Sequence, residues 1–391
     1  MLPLPAAISL LAAGRPSPIA LGTLFTDTNF SAGSKYTVSG SGITFSGGQI
    51  NMTGGSATFN DYISLTDATN SWINTTIEKW TISVKAITPT INASSFGIGI
   101  GVRSKNNFTI MNSIFRWGWD TGTDCAFNMY PGNGLSNQLK VGSITNPSGG
   151  QTVYFDVTRN KNVYTCTAYQ SDHTTVIVTG SFTMSLASGA VNQANNTGQF
   201  VIENFGGTNI KILEWTITTT AKKYVDYVFV GDSNMYGMFS GSNAVRFAEA
   251  AATAKHKTFE ICAGIGDRSV DIVTRLNEII GLHPRFVIAS FGRNDIANGV
   301  ATGTWQANID TFVSTLQAAG IIVKSGGCIA SNVACAPVQT YWTGKGLTGY
   351  DAYTGTKGGG TALNAAYDSG DNIHMNATGN GVVSTGFQTI M

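Results

Sequence analysis

The chain has 391 residues, which exceeds the usual length of one domain and predicts two domains of ordinary size. Charged residues make up 12% of the sequence, about half of the roughly 25% found in average globular proteins, and the formal net charge is +1. So small an overall charge argues against a nucleic-acid partner or an anionic membrane surface, because neither would be attracted by it.

Glycine (47 residues), threonine, serine and asparagine are abundant, which is typical of β-rich extracellular or virion-associated proteins. We therefore expect an extracellular or virion-associated location. The five cysteines lack the spacing of metal ligands, and four histidines are too few for a zinc site built from several of them. We expect no metal and no cofactor. Cys328 and Cys335 are close enough in sequence to pair, but two unlinked thiols are the favoured interpretation.

Residues 1–24 are interpreted as a separate N-terminal segment. Its first 14 residues are apolar, contain two prolines and lack the positively charged start of a secretory signal. The run is also too short to span a membrane, and no later apolar run reaches that length, so no membrane span is expected. The segment resembles the start of many phage tail and virion proteins.

Residues 25–220 contain short stretches of alternating or β-branched residues, separated by clusters of Gly, Asn, Ser and Thr. The clearest stretches lie at 35–39, 80–85, 96–102, 152–158, 163–168 and 210–217. Strands at this spacing, without helical periodicity between them, predict an antiparallel β-sandwich or jelly roll.

The segments 25–30, 36–40 and 47–52, followed by strands up to residue 217, resemble a concanavalin A-like (laminin-G-like) lectin domain. This resemblance implies carbohydrate binding as a hypothesis. Trp117 and Trp119 alternate with Phe115 and would share one face of a strand, where they could stack on sugar rings. The favoured alternative places these aromatic residues in the sandwich core. Sandwiches of this type also serve as spacers or trimer contacts in fibres.

After residue 220 the pattern changes, because apolar β runs now alternate with segments of helical length. The predicted strands lie at 224–230, 257–262, 285–291 and 321–326, and the predicted helices at about 240–254, 268–281, 304–319 and 377–390. This alternation predicts βαβ units and a parallel sheet covered on both faces. Neither a G-x-G-x-x-G after the first strand nor a P-loop is present, which disfavours nucleotide binding.

Four short segments fall at the carboxyl ends of these strands or in a loop of the same rim. They read Gly-Asp-Ser-Asn at 231–234, Ala-Gly-Ile-Gly-Asp at 263–267, Ser-Phe-Gly-Arg-Asn-Asp at 290–295 and Asp-Asn-Ile-His-Met-Asn at 371–376. The series resembles the SGNH (GDSL-type) hydrolase family, whose blocks carry Ser, Gly, Asn and His in this order on a flavodoxin-like sheet. The resemblance implies that residues 221–391 form a hydrolase domain that cleaves esters.

The chemistry of the residues agrees with this resemblance. Ser233 becomes a nucleophile when a base takes its proton, and His374 titrates in the range that suits this task. Asp371 precedes His374 by three residues, so a turn can bring its carboxylate to the imidazole. The backbone N–H groups of Ser233 and Gly266 and the side-chain amide of Asn294 are the expected donors to the tetrahedral oxyanion.

The second block departs from the family pattern, in which an Asn often precedes the Gly. Gly264 is therefore an alternative donor, and Gly266 is favoured because Asp267 follows it. Asp232 is expected to support the turn at the nucleophile by accepting hydrogen bonds from backbone groups. Asp295 is expected to cap the helix that follows it.

Residues 328–370 form a long connection that leads into Asp371, and long connections are often functional. We predict that this segment forms one wall of the acyl or sugar pocket, with Trp342 and Tyr350 in contact with the substrate.

The favoured hypothesis is a serine esterase that removes small acyl groups, acetyl above all, from a carbohydrate recognised partly by the sandwich. The expected partner is an acylated carbohydrate or a small ester, and a homo-oligomer or virion assembly is compatible with the sequence. One alternative is a phage-tail or fibre-type receptor-binding protein with a vestigial hydrolase domain. Another is a lipase or thioesterase of the same family.

Overall fold

The computed structural model describes residues 17–33, 35–53, 61–65, 79–88, 97–104, 111–119, 124–130, 139–145, 150–161, 163–183, 198–205, 209–237 and 246–391. For the strand residues between 102 and 145, and for residues 182, 198, 199 and 205, it describes the backbone alone. Two units follow one another along the chain.

The N-terminal unit is built from strands. They are β1 (Ile19–Asp27), β2 (Tyr36–Ser39), β3 (Ile43–Ser46), β4 (Gln49–Met52), β5 (Tyr62–Leu65), β6 (Lys79–Ile87), β7 (Gly97–Ser104), β8 (Met111–Trp119), β9 (Asp124–Tyr130), β10 (Leu139–Thr145), β11 (Thr152–Asn160), β12 (Val163–Tyr169), β13 (Val176–Thr183), β14 (Gly198–Phe205) and β15 (Ile210–Lys223). One sheet has the order β13-β12-β11-β6-β15-β4-β3, with β1 also paired to β15, and the other has the order β10-β9-β8-β7-β14-β5-β2. All these pairs are antiparallel.

The core of this unit lies between the two sheets. Every second residue of β6 is buried, as alternation on a sheet with one covered face requires. Trp80 of β6 meets Phe200 of β14 edge to face, with ring centroids 5.5 Å apart, and Trp215 of β15 is buried in the same cluster. Each such side chain contributes roughly 1.5–3 kcal/mol by leaving water. The predicted antiparallel sandwich is confirmed.

The C-terminal unit alternates strands and helices. It contains β16 (Tyr227–Gly231), α1 (Ser233–Tyr236), α2 (Phe247–Ala254), β17 (Phe259–Ala263), α3 (Ser269–Val273), α4 (Leu276–Gly281), β18 (Phe286–Ser290), α5 (Arg293–Ala297), α6 (Thr302–Ala318), β19 (Ile322–Gly327), α7 (Ala336–Gly344), α8 (Ala352–Thr356) and α9 (Ala377–Ile390). The strands form a parallel sheet in the order β17-β16-β18-β19. This is the order of a flavodoxin-like sheet, as predicted.

Helices cover both faces of this sheet. Val228 and Val230 of β16 pack in the cluster that includes α4, α6 and α7, whereas Tyr227 and Phe229 pack in the cluster that includes α2 and α9. With both faces apolar and covered, the carboxyl edge of the sheet is where polar side chains gather.

Two predicted elements differ from the observed ones. The first strand of this unit begins at Tyr227 instead of residue 224, because Tyr224 has a left-handed backbone (φ 63°) and its N–H bonds to the Leu282 carbonyl at 2.8 Å. The helix predicted at 268–281 is divided into α3 and α4. The break allows Arg275 to turn its buried guanidinium onto Asp267. Part of the helix predicted at 240–254 lies outside the described residues, and α2 begins at Phe247.

Polar contacts join the two units. Lys79 Nζ lies 2.8 Å from a carboxylate oxygen of Glu260 in β17, and Arg159 Nη2 in β11 donates to Tyr236 Oη in α1 at 3.0 Å. Ile265, in the turn after β17, packs against the cores of both units. The sandwich therefore contacts the segments that follow β16 and β17.

Two strands extend across the predicted domain limits. β1 begins at Ile19, inside the segment that we expected to precede the sandwich, and pairs with β15. β15 runs through the predicted boundary at residue 220, and Ala221 is buried in the core of the C-terminal unit.

We predict opposite effects of alanine at two glycines of α9. The Tyr350 ring lies between Gly355 and Gly386, and a Cβ on Gly386 would overlap that ring. Gly386→Ala should therefore destabilise the protein by about 1–3 kcal/mol, as overpacking does. Gly381→Ala is the matched control, because no described atom lies within 4 Å of its Cβ position, and it should stabilise by up to about 1 kcal/mol through helix propensity. Urea denaturation of both variants measures the difference, and equal midpoints would contradict this packing.

Candidate active site

The turn after β16 carries the predicted nucleophile. A Cβ on Gly231 would collide with the carbonyl oxygen of Ser290, so this close approach of two strands requires glycine. Asp232 caps α1 by accepting a 3.0 Å hydrogen bond from the Asn234 N–H, which confirms its predicted role. Ser233 is the first residue of α1 and is only 6% exposed.

His374 reaches this serine from a part of the chain 141 residues away, with its Nε2 2.8 Å from Ser233 Oγ. Its other ring nitrogen, Nδ1, lies 2.6 Å from Asp371 Oδ2. With the proton on Nδ1 donated to the carboxylate, Nε2 can accept the serine hydroxyl proton. Asn234 Nδ2 also donates to the Ile373 carbonyl at 3.3 Å, so the serine turn and the histidine loop are joined twice.

The Asp371 carboxylate is held in place by the loop that contains it. Its Oδ1 accepts from the backbone N–H groups of Ile373 and His374 at 2.9 and 2.8 Å. Burial acts to raise the pKa of Asp371, but the hydrogen bonds from His374 and Ile373 outweigh burial and hold this pKa below its usual value. Burial lowers the pKa of His374, against the opposing effect of Asp371. At neutral pH the pair is therefore a carboxylate beside a neutral imidazole, the form that accepts a proton.

The turn after β17 contains Gly264 and Gly266, whose backbone N–H groups differ in whether they already donate a hydrogen bond. The N–H of Gly264 donates to the Gly231 carbonyl at 3.2 Å. None of the residues that the structure describes accepts a hydrogen bond from the N–H of Gly266, which lies in the left-handed region at φ 77°. Because Gly231 of β16 pairs in register with Ala263 of β17, this turn starts beside the one that carries Ser233.

Asn294 occupies the corresponding place after β18, whose Ser290 pairs in register with Gly231. Asn294 is 4% exposed, and its Nδ2 donates to the Asp267 carbonyl at 2.9 Å. Its Oδ1 accepts from Arg293 Nη1 at 2.8 Å. The amide is thus held on both sides.

Sequence reasoning missed the polar cluster formed by Arg293, Ser331 and Asn332. The Arg293 Nη2 donates to Asn332 Oδ1 at 3.0 Å, and its Nε donates to Ser331 Oγ at 3.4 Å. The Asn332 N–H donates to the Asn372 carbonyl at 2.8 Å, which connects this cluster to the loop of Asp371. The only sequence feature that could have indicated this cluster is the position of Arg293 inside the third block, since Ser331 and Asn332 belong to no motif.

Asp295 does not cap its own helix, so that prediction is wrong. The residue before α5 is Gly292, which has a left-handed φ of 116° and allows the helix to begin at Arg293. The Asp295 carboxylate instead accepts from the backbone N–H and the hydroxyl of Ser269 at 2.8 and 2.7 Å. It therefore fixes the start of α3.

The two aromatic residues predicted to contact the substrate from the 328–370 segment pack elsewhere, so these predictions are wrong. Trp342 is fully buried in α7, donates from Nε1 to the Phe291 carbonyl at 3.1 Å and meets the Phe291 ring edge to face. Tyr350 packs against Gly386 and Phe387 in α9. The large apolar surface of Trp342 is more favourably buried in the core than exposed at the rim, and Tyr350 is partly buried against α9.

Trp117 and Trp119 lie in β8, where the described structure is limited to the backbone, so their predicted sugar contacts lie outside the described residues. The early part of the 328–370 segment, which contains Ser331 and Asn332, does lie beside the candidate site. Cys328 and Cys335 are free thiols there, and Cys335 Sγ is 3.5 Å from Ser331 Oγ.

No group of three or more His, Cys, Asp or Glu residues in the described ranges is placed to hold a metal ion. Across the same residues, the helices are too short or too polar for any to cross a bilayer.

Several solved structures are similar to part of this chain. A GDSL-like lipase from Bacteroides thetaiotaomicron is 19% identical, with a TM-score of 0.36, and the alignment covers 42% of this chain and 86% of that one. The winged bean acidic lectin is 9% identical with a TM-score of 0.37, covering 50% and 97%. The CBM2 module of the evolved Dit of Lactobacillus casei BL23 phage J-1 is 9% identical with a TM-score of 0.36, covering 52% and 97%. No curated protein matches the chain.

The sequence model of one family matches part of the chain, namely residues 229–382, which contain all four blocks and amount to less than half of the chain. The C-terminal unit is therefore similar in sequence to the GDSL-like lipase/acylhydrolase family, and this similarity supports a hydrolase of the esterase or lipase type that acts on an ester substrate.

Proposed function

We propose that the protein is a serine esterase in which Ser233, His374 and Asp371 act as a catalytic triad. The observation that carries this proposal is the continuous hydrogen-bond chain from the serine hydroxyl through the imidazole to the carboxylate, with distances of 2.8 and 2.6 Å. The buried Ser233 becomes nucleophilic as His374 accepts its proton. Asp371 holds the imidazole in the required tautomer and stabilises the imidazolium that forms.

The reaction proceeds in two steps. Ser233 Oγ attacks the ester carbonyl, and the resulting oxyanion accepts hydrogen bonds from the N–H groups of Ser233 and Gly266 and from the Asn294 amide. His374 then protonates the departing alcohol, leaving an acyl-serine. Water attacks this intermediate while His374 takes a proton from the water, and His374 then returns that proton to Ser233 Oγ as the carboxylic acid leaves. Gly266 is preferred to Gly264 as donor because the Gly264 N–H is already bonded to Gly231.

We propose a small acyl group, acetyl above all, on a carbohydrate as the substrate. The polar groups of Arg293, Ser331 and Asn332 beside the site support this, because they suit hydroxyl groups better than a long acyl chain. The contact of the sandwich with the turn at Ile265 supports a role for that unit near the substrate. The low charge content supports an extracellular or virion-associated location.

Ser233→Ala should reduce the hydrolysis of 4-nitrophenyl acetate on the order of 10⁵–10⁶-fold, because no other group replaces the nucleophile. A fluorophosphonate probe should label the wild type and not this variant. Ser314→Ala, which removes an exposed hydroxyl on α6, is the control and should retain full turnover. Wild-type turnover in Ser233→Ala would refute the proposed nucleophile.

The pH dependence of kcat/KM should follow His374. Since the imidazole must be neutral to act as base and burial lowers its pKa below 6.5, activity should rise with pH to a midpoint below 6.5. Asp371 raises the pKa of His374, so Asp371→Asn should move the midpoint to still lower pH and reduce kcat by up to about 10⁴. A midpoint that shifts upward in Asp371→Asn would contradict this coupling.

The substrate proposal predicts a preference for short acyl chains on sugars. Across 4-nitrophenyl esters, kcat/KM should be highest for acetate and fall with chain length, and acetylated polysaccharides should release acetate. Ser233→Ala treated in parallel controls for spontaneous hydrolysis. Greater activity on long-chain esters, with no acetate released from any polysaccharide, would favour a lipase instead.

A further inference from the structure

Arg293 is the first residue of α5 and is half-buried between the oxyanion segment and the turn at residues 331–332. Its guanidinium donates to three neutral oxygens, namely Asn294 Oδ1 at 2.8 Å, Asn332 Oδ1 at 3.0 Å and Ser331 Oγ at 3.4 Å. Within the described chain no carboxylate lies within ion-pair distance of it. The side chain therefore works as a fork of hydrogen-bond donors, a geometry that lysine cannot reproduce.

The neighbouring amide of Asn294 has two orientations that exchange its oxygen and nitrogen. In the observed orientation Nδ2 donates to the Asp267 carbonyl at 2.9 Å and Oδ1 accepts from Arg293. The exchanged orientation would set Oδ1 against that carbonyl and Nδ2 against the guanidinium, so both hydrogen bonds would become repulsive contacts. Because Asn294 is 4% exposed, water cannot readily compensate for either loss.

We propose that Arg293 is a positioning residue that holds the Asn294 amide with Nδ2 as the donor. One hydrogen of Nδ2 is donated to the Asp267 carbonyl, and the second hydrogen is then available to the oxyanion. A donor that is already oriented stabilises the transition state without reorganising during the reaction. This inference rests on the proposed esterase function, since the orientation of the amide matters to turnover if an oxyanion forms beside it.

The Arg293 guanidinium also connects the Asn294 amide to the loop that contains His374. Asn332 accepts from Arg293 through its side chain, and its N–H donates to the carbonyl of Asn372, between Asp371 and His374. Arg293 therefore links the oxyanion segment to the histidine loop through one intervening residue. Through this arrangement Arg293, which is outside the triad, would affect the rate of the chemical step.

The test compares Arg293→Met, Arg293→Lys, Asn294→Ala and the double variant Arg293→Met/Asn294→Ala with 4-nitrophenyl acetate. Asn294→Ala should lower kcat by about 10²–10³. Arg293→Met should lower kcat roughly 10- to 100-fold with little change in KM, because it acts on the transition state through Asn294. The double variant should be no slower than Asn294→Ala, since Arg293 has nothing left to position. Arg293→Lys should resemble Arg293→Met.

Arg285→Met is the matched control, because it removes an exposed arginine at the opposite end of β18 and should leave kcat unchanged. Multiplicative losses in the double variant would overturn the proposal, as would full activity in Arg293→Lys. A loss confined to KM would overturn it too, by assigning Arg293 to substrate binding. If turnover is lost in Ser233→Ala and unaffected by Arg293→Met, the esterase function stands and the positioning role is refuted.

Discussion

The parallel register of β16 with its two neighbours is the constraint on which the candidate site depends. Gly231 pairs with Ala263 on one side and with Ser290 on the other, so the three chain segments that follow leave the sheet side by side. In a flavodoxin-like sheet the strand order reverses at the first strand, which opens a crevice at the carboxyl edge. Ser233, Gly266 and Asn294 follow these three strands directly. Their proximity is therefore a consequence of backbone pairing, and side-chain hydrogen bonds refine it.

His374 is brought to this edge by a different structural element. The Asn376 side chain caps α9 by accepting from the N–H groups of Thr378 and Gly379, and α9 packs along α2 through Phe247 and Phe387, whose rings meet edge to face at 5.2 Å. The helix begins where the histidine loop ends, so its packing positions the loop. A buried carboxylate close to the serine adds an electrostatic cost, since burial raises the pKa of Asp232 to about 6 despite its hydrogen bond from Asn234 and the nearby charge of Arg293. Carboxyl groups with pKa values shifted by burial are common at functional sites.

The sandwich contributes to this framework beyond its own core. Arg159 is 2% exposed and donates to Tyr236 at the end of α1, the helix that starts with Ser233. Glu260 of β17 accepts from Lys79 Nζ and from the Lys222 N–H, at 2.8 and 2.9 Å. Arg159 and Glu260 are both buried, and a buried charged group is costly to leave without its hydrogen-bond partner. The segments that carry the serine and the second block are therefore supported from both units.

The sequence alone determined the class of each unit, the order of the four blocks that carry the proposed catalytic residues, and the nearest partners of these residues. Alternation with period two predicts a sandwich, and apolar runs separated by helical segments predict a covered parallel sheet, because both patterns follow from local geometry. The Asp371–His374 pair and the turn support from Asp232 were also predictable, since each joins residues within three positions.

The tertiary structure decided what depends on residues distant in sequence. Trp342 and Tyr350 are residue types that often line binding pockets, but Trp342 is buried in the core and Tyr350 packs partly buried against Phe387. Asp295 found its partner in Ser269, and Arg293 found its partners in Asn294 and a turn nearly 40 residues away. No local sequence pattern marks a hydrogen bond between distant segments, because its partners come together only when those segments pack against each other. The sequence therefore identifies which groups could react, and the packing of sheet, helices and sandwich decides how each group is oriented.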